Sequence, residues 1–200
     1  MRQSGNKSGF SRRAFLKGSG AAAAATAITP SGTIAAKEKT AIVSGWTNIT
    51  LNVNGKSHAV KVEPRTLLLD VLRYQLGLTG AKPVSADGSS GASTVLIDGK
   101  PQLASITLAL AAQGKRIETV ESLGGRNPDA VARAFVHNDA AQCGFCTPGF
   151  VVAVRAFLDK NPNATEQDIR KGLNGNVCRC GTYANVIQAA LEVVKGGGNG

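Results

Sequence analysis

Four cysteines carry the chemistry that this chain of 200 residues offers. Cys143 and Cys146 lie in the motif Q-C-G-F-C-T-P-G, and Cys178 and Cys180 lie in G-N-V-C-R-C-G-T-Y. Thiolates are soft ligands that suit iron–sulfur clusters, and four of them complete a [2Fe–2S] site. The neighbouring glycines allow the backbone to approach the sulfurs. This pattern favours a protein that transfers electrons through one cluster.

Two other interpretations of the four thiols remain open on spacing alone. They can hold a structural zinc ion, although such sites usually combine two C-x2-C motifs with a shorter gap. In an exported protein they can also form two disulfides. A Cys178–Cys180 disulfide would span a single residue and would therefore be strained.

The N-terminus predicts export by the twin-arginine route. Arg12 and Arg13 precede a run of small apolar residues at 18–28, and the first 36 residues carry five basic side chains and no acidic one. This is the pattern of a signal peptide, predicted here at 1–36 with cleavage after Ala35 or Ala36, and it predicts a periplasmic protein. Because the twin-arginine route carries folded proteins with their cofactors in place, it favours iron–sulfur over disulfides.

Charge and hydropathy exclude other classes of function. Removing the five basic residues of the signal lowers the formal net charge from +10 to +5. The sequence lacks a basic stripe interleaved with aromatic residues, so it does not indicate nucleic-acid binding. No segment after the signal is long and apolar enough to span a membrane, so a soluble mature protein is expected. About 160 mature residues allow two small domains.

The first predicted domain follows a linker at 37–46 and occupies 47–122. Two alternating runs flank Asn54-Gly55, a dipeptide typical of tight hairpin turns because both positions need positive φ. Thr66 is a candidate N-cap for a short helix. Strands are expected at 94–97 and 116–120, which completes a small α+β domain.

The second predicted domain, 127–195, has helical periodicity and holds both cysteine pairs in its connections. Four short helices are expected, one of them opened by a capping box of Thr165 and Asp168. Together they predict a bundle with a metal centre at one end. The glycine-rich residues 196–200 are expected to form a flexible tail.

Several motifs in order resemble the iron–sulfur small subunit of the xanthine dehydrogenase and molybdenum hydroxylase family, especially the exported small subunits of periplasmic aldehyde oxidases. The resemblance covers about residues 49–195, and its motifs are V-N-G-K, P-R-T-L-L-L-D-V-L-R, G-A-x-T-V-L-I-D-G and the two cysteine motifs. It implies a ferredoxin-like β-grasp domain followed by a four-helix [2Fe–2S]-binding domain, each normally with one cluster. The molybdenum pterin cofactor is implied on a separate large subunit.

The resemblance also assigns roles to individual residues. It implies that Cys143, Cys146, Cys178 and Cys180 bind the cluster of the helical domain, and that Cys180 lies close to the pterin edge. Gln142 matches a glutamine that hydrogen-bonds the pterin in the family.

The chain departs from the family pattern in its N-terminal domain. The four positions that ligate the family's other cluster hold serine here: Ser85, Ser90, Ser93 and Ser105. Four hard, normally protonated hydroxyls cannot hold a soft cluster, so this cluster is expected to be lost.

The family relation implies an electron-transfer subunit of a periplasmic molybdenum-dependent oxidoreductase that acts on aldehydes or N-heterocycles. Electrons would leave through the one remaining cluster to an FAD subunit or a cytochrome. Two alternatives are a structural subunit that completes the pterin pocket and a zinc- or disulfide-stapled binding module. The sequence contains no set of residues typical of a catalytic acid, base or nucleophile, and His58 and His137 are interpreted as structural.

Overall fold

The computed structural model describes residues 42–196. The predicted signal peptide at 1–36, the first part of the predicted linker and residues 197–200 of the predicted tail lie outside that range. From Val43 onward the described residues form one compact unit. A mixed sheet comes first in the chain and α-helices follow, which confirms the predicted α+β class.

The sheet begins with the predicted hairpin. Strands β1 (Thr47–Val53) and β2 (Lys56–Val62) pair antiparallel across the Asn54-Gly55 turn. Asn54 and Gly55 have φ values of 51° and 76°. Asparagine and glycine adopt this left-handed region at low cost, which explains why the chain reverses there.

A second hairpin completes the sheet. Strands β3 (Thr94–Ile97) and β4 (Lys100–Leu103) pair antiparallel, and β5 (Arg116–Glu118) lies between β1 and β3, giving the order β2-β1-β5-β3-β4. Strand β5 runs parallel to β1 and antiparallel to β3.

Strand β5 ends two residues earlier than predicted. The Asn54 side chain takes up the backbone amide of Thr119, which would otherwise continue the strand pairing. The Thr119 amide donates to Asn54 Oδ1 at 2.9 Å, and Asn54 Nδ2 donates to Thr119 Oγ1 at 2.9 Å. The chain then enters a 3₁₀ turn at Val120–Leu123.

The helix predicted after Thr66 is short and irregular. An α-helical turn, α1 (Leu68–Asp70), continues as a π-helical segment at Val71–Gln75. The predicted N-cap is wrong: the Thr66 hydroxyl accepts the Glu63 amide at 3.0 Å, which closes the turn before the helix. The apolar side of this segment packs on the sheet. The core there includes Leu51, Val53, Val62, Leu68, Val71, Leu72, Val95 and Ile117.

Four further α-helices follow the sheet. They are α2 (Ala130–His137), α3 (Thr147–Lys160), α4 (Glu166–Gly172) and α5 (Tyr183–Lys195). The predicted capping box opens α4, since Thr165 Oγ1 accepts the Asp168 amide at 3.3 Å and Asp168 Oδ2 accepts the Thr165 amide at 3.0 Å. These helices share a second core, which includes Val131, Phe135, Phe150, Val154, Leu158, Ile169, Val186 and Ile187.

Helix α3 packs closely against the chain just before β3. A Cβ atom added to Gly149 would lie 2.4 Å from the Gly91 carbonyl oxygen and 3.1 Å from Ala92 Cα. Real side chains do not tolerate such distances to backbone atoms. Glycine at 149 therefore allows the helices and the sheet to approach each other next to the cysteine loops.

We expect Gly149→Ala to destabilise the protein. Alanine favours a helix by about 1 kcal/mol over glycine, but the collision with fixed backbone should outweigh that gain at a cost of about 1–3 kcal/mol. Thermal unfolding of the purified chain should show a clearly lowered Tm. Gly175→Ala is the matched control, because its added Cβ meets no atom within 4 Å. An unchanged Tm for Gly149→Ala would contradict this account of the contact.

Candidate metal centre

The four cysteines lie at the N-terminal ends of α3 and α5, the two longest helices between residues 42 and 196. Cys146 immediately precedes α3, and its carbonyl accepts the Phe150 amide at 3.1 Å. Cys178 and Cys180 lie in the connection that leads into α5. Because a helix N-terminus carries partial positive charge, both helices favour negatively charged thiolates at this place.

The four thiols interact in two pairs. The thiol of Cys146 interacts with that of Cys178, and we call these the inner pair; the thiol of Cys143 interacts with that of Cys180, and we call these the outer pair. Burial, followed by the thiol contact with Cys178, raises the pKa of Cys146 to about 12. The thiol of Cys143 raises the pKa of Cys180, while the amide of Phe145 and the Cys180 thiol lower the pKa of Cys143.

Cys178 is the most sheltered member, with 7% of its surface exposed. Burial opposes its ionisation, but hydrogen bonds from the hydroxyl and amide of Thr182, with smaller contributions from Cys146 and Gly181, lower its pKa to about 7. The Thr182 hydroxyl lies 3.2 Å from Cys178 Sγ, and the Cys178 amide donates to the Tyr183 hydroxyl at 2.7 Å. These contacts favour the thiolate form that binds metals.

The pairwise arrangement is compatible with a two-iron cluster. In a [2Fe–2S] site with four cysteines, each iron takes two thiolates. Between residues 42 and 196, no group of three or more His, Cys, Asp or Glu side chains is placed to hold a single metal ion. All four thiols are also free of disulfides. The donor set therefore fits [2Fe–2S].

The outer pair lies on an exposed part of the surface. Cys143, Cys180 and the predicted pterin contact Gln142 are all exposed. Phe145, between the first two cysteines, has 53% of its surface exposed, and Lys82 Nζ lies 5.9 Å from the centre of its ring. The outer pair and the Phe145 ring are therefore open to a group outside this chain.

The four serines are paired with each other. The hydroxyl oxygens of Ser85 and Ser90 are 2.8 Å apart, and those of Ser93 and Ser105 are 2.9 Å apart. The Ser105 amide also donates to Ser93 Oγ at 3.3 Å, within a buried environment. Each pair thus satisfies its polar groups internally, as buried hydroxyls require.

The loop before β3 that carries Ser85, Ser90 and Ser93, called the serine loop here, directly supports the loop that carries Cys178 and Cys180. The Val177 amide donates to the Ser90 carbonyl at 2.9 Å, and Asn176 Nδ2 donates to the Gly91 carbonyl at 3.0 Å. Asn176 is buried, so its bond to Gly91 is shielded from water. These two bonds fix the residues that lead into Cys178.

Sequence reasoning identified the cysteines but missed the residues that hold them. Thr182 and Tyr183 belong to the motif G-T-Y, which served only as a family signature. The signal that could have revealed them is their spacing, four and five residues after Cys178 at the start of a helix. By contrast, His137 takes no part in the hydrogen bonds around the cysteines. Its Nδ1 lies 2.8 Å from Glu192 Oε2 on the surface.

Two family models match the chain. Residues 119–191, which contain all four cysteines, match the model of the [2Fe-2S] binding domain. Residues 9–29 match the model of the TAT (twin-arginine translocation) pathway signal sequence, which confirms the predicted export signal.

Known proteins of similar sequence and structure share most of this chain. It is 38% identical to the aldehyde oxidoreductase iron-sulfur-binding subunit PaoA of Escherichia coli (strain K12), over 94% of this chain and 89% of that protein. It is 37% identical to the nicotinate dehydrogenase small FeS subunit of Eubacterium barkeri, over 74% and 94%. A chain in the crystal structure of quinoline 2-oxidoreductase from Pseudomonas putida 86 matches with a TM-score of 0.71 and 39% identity, over 77% of this chain and 99% of that one.

The serine pairs lead to a prediction about stability. Ser93→Ala should leave the buried hydroxyl and amide of Ser105 without a partner and lower the free energy of unfolding by about 1–2 kcal/mol. Ser85→Ala, in the partly exposed pair, should cost less because water can replace the lost hydroxyl. Denaturant unfolding of the purified variants measures both values. Iron content should be unchanged in each, and a loss of iron from Ser93→Ala would show that these hydroxyls serve a metal.

Proposed function

This chain belongs to the family of iron–sulfur small subunits of molybdenum hydroxylases, and we propose that it is the electron-transfer subunit of a periplasmic oxidoreductase acting on aldehydes or N-heterocycles. The observation that carries this proposal is that four free cysteines lie at the N-terminal ends of α3 and α5, where the thiol of Cys146 interacts with that of Cys178 and the thiol of Cys143 with that of Cys180. The substrate-oxidising site belongs to another chain, which would hold the molybdenum pterin cofactor.

We infer the finer domain structure from the same relation. Residues 47–122 form a ferredoxin-like β-grasp domain, and 127–195 form the four-helix [2Fe–2S]-binding domain. Support comes from the five-stranded mixed sheet, the four helices that follow it and the separate core in each part.

One [2Fe–2S] cluster would be held by Cys143, Cys146, Cys178 and Cys180. Such a cluster supplies one-electron transfer. The chain's own residues prepare the site: the N-termini of α3 and α5 offset the negative charge of the thiolates, and the buried side of the inner pair keeps water away. The hydroxyls of the paired serines hydrogen-bond to each other, and hydroxyl groups are poor ligands for a soft iron–sulfur cluster. We therefore propose no second cluster at the serines.

The exposed outer pair indicates from which side a partner cofactor could approach the site. Cys180 and Gln142 are available to a group outside this chain, which fits a pterin cofactor on a large partner subunit. Electrons would arrive from that side one at a time and leave to an FAD subunit or a cytochrome.

A second candidate function is a structural subunit that completes the pterin pocket without passing electrons onward. The serine loop favours it, because Ser90 and Gly91 support the cysteine loop mechanically and offer no redox group. The two functions differ in whether the cluster is reduced during turnover.

Two further observations concern export and membrane-spanning segments. The twin-arginine signal at 9–29 directs this protein to the periplasm. Within residues 42–196, none of the helices has the length and apolar character that crossing a bilayer demands.

The cluster count tests the proposed function. Co-expressed with its large subunit and purified as a complex, the chain should carry about two iron and two sulfide ions, and dithionite should produce one [2Fe–2S] EPR signal. Cys178→Ala should abolish the signal, because it removes a ligand of the buried inner pair. Ser90→Ala is the control and should keep the signal.

Four outcomes separate the alternatives. Two distinct EPR signals would contradict the one-cluster assignment, and zinc without iron would favour the stapled binding module. A signal that substrate fails to reduce would favour the structural subunit. Substrate oxidation by the small subunit alone would contradict the division of labour between the chains.

The signal peptide makes a separate prediction. Replacing Arg12 and Arg13 together by Lys keeps the charge but removes the twin-arginine pair, so the folded protein should accumulate in the cytoplasm. Immunoblots of periplasmic and cytoplasmic fractions measure this. Replacing Lys7 by Arg is the control and should leave export intact. Normal periplasmic accumulation of the double variant would show that another route carries the protein.

A further inference from the structure

The residue before α5 uses its side chain in an unusual way. Thr182 occupies the N-cap position, where a threonine hydroxyl normally accepts an amide of the first helical turn. No such capping bond is made by Thr182. Its hydroxyl oxygen instead lies 3.2 Å from Cys178 Sγ. The helix therefore forgoes a stabilising cap, and the hydroxyl serves the sulfur.

We propose that the Thr182 hydroxyl raises the reduction potential of the cluster by donating a hydrogen bond to the Cys178 thiolate. The inference rests on the proposed function, since it requires a [2Fe–2S] cluster on the four cysteines. A metal-bound thiolate has no proton and can only accept, so Thr182 must be the donor.

The direction of the effect follows from charge. One-electron reduction adds one negative charge to the iron and its thiolates; no bond breaks and no proton moves. In the proposed function the electron would come from a molybdenum cofactor on the partner subunit and would leave to the acceptor. A hydrogen bond to a ligand sulfur stabilises the more negative, reduced state more than the oxidised state, and so raises the potential. Cys178 is buried, which strengthens the effect because water does not screen it.

A brace of two aromatic residues keeps the sulfur within reach of Thr182. The Tyr183 hydroxyl accepts the Cys178 amide at 2.7 Å, and the Tyr183 ring meets the Phe150 ring edge to face with centroids 6.1 Å apart. Phe150 is 1% exposed, and its amide donates to the Cys146 carbonyl at 3.1 Å. The brace thus links both members of the inner pair. Thr182 acts on the cluster through Cys178 and is a positioning residue.

The test is an EPR-monitored redox titration of the purified complex with its large subunit. Thr182→Val keeps the shape but removes the hydroxyl, and its midpoint potential should shift to a more negative value. Thr182→Ser restores the donor and should titrate close to the unmodified complex. Thr147→Val is the matched control: it removes a hydroxyl next to Cys146 that is buried and has no hydrogen-bond partner among the described residues. Its potential should not shift.

Each outcome decides the proposal. A potential that is unchanged in Thr182→Val, or shifted equally in Thr147→Val, overturns it. If Thr182→Val and Thr182→Ala both fail to retain the cluster while Thr182→Ser retains it, the hydroxyl is needed to hold the cluster, and tuning is overturned in favour of a structural role. Absence of a [2Fe–2S] signal in the unmodified complex would overturn the proposed function itself, so the two failures are distinguishable.

Discussion

The gathering of four cysteines at two helix N-termini is the constraint on which the described part of the chain depends. Like charges at contact distance repel one another strongly when little water is present. Two helix N-termini reduce this repulsion, because their unpaired amides and the helix dipole place partial positive charge next to the sulfurs. For both helices to begin at one place, α3 and α5 must pack in a shared core, which the buried ring of Phe150 helps to fill. The helical half is thus organised around its cysteine loops.

The sheet half of the chain supports the cysteine loops through hydrogen bonds. Its contribution is made by the serine loop before β3, whose backbone carbonyls at Ser90 and Gly91 accept hydrogen bonds from the residues before Cys178. Serine and cysteine are similar in size, so paired hydroxyls can fill a place where paired sulfurs would otherwise bind iron. In this chain the loop has a mechanical role: it braces a metal centre that belongs to the neighbouring helices.

Sequence reasoning succeeded where local chemistry decides the structure. The Asn54-Gly55 turn, the strand at 94–97 and the capping box at Thr165 follow from short-range rules, and the structure contains all three. It failed where distant residues compete for the same groups. Asn54 takes the place of a ladder partner for Thr119, 65 residues away, which ends β5 early. Thr182 gives its hydroxyl to a sulfur in the preceding loop instead of capping its helix, and only the folded structure reveals that choice.

The parallel pairing of β1 with β5 has a consequence for the time course of biogenesis. Asn52 lies opposite Arg116, so the sheet cannot close until the ribosome has released everything between them. Contacts between residues so far apart in sequence close slowly, because the loop entropy is lost before the pairing is gained. The residues before Cys178 are hydrogen-bonded to the loop that leads into β3 of this same sheet. A translocase that carries folded cargo would therefore have to wait for the slow closure of the sheet.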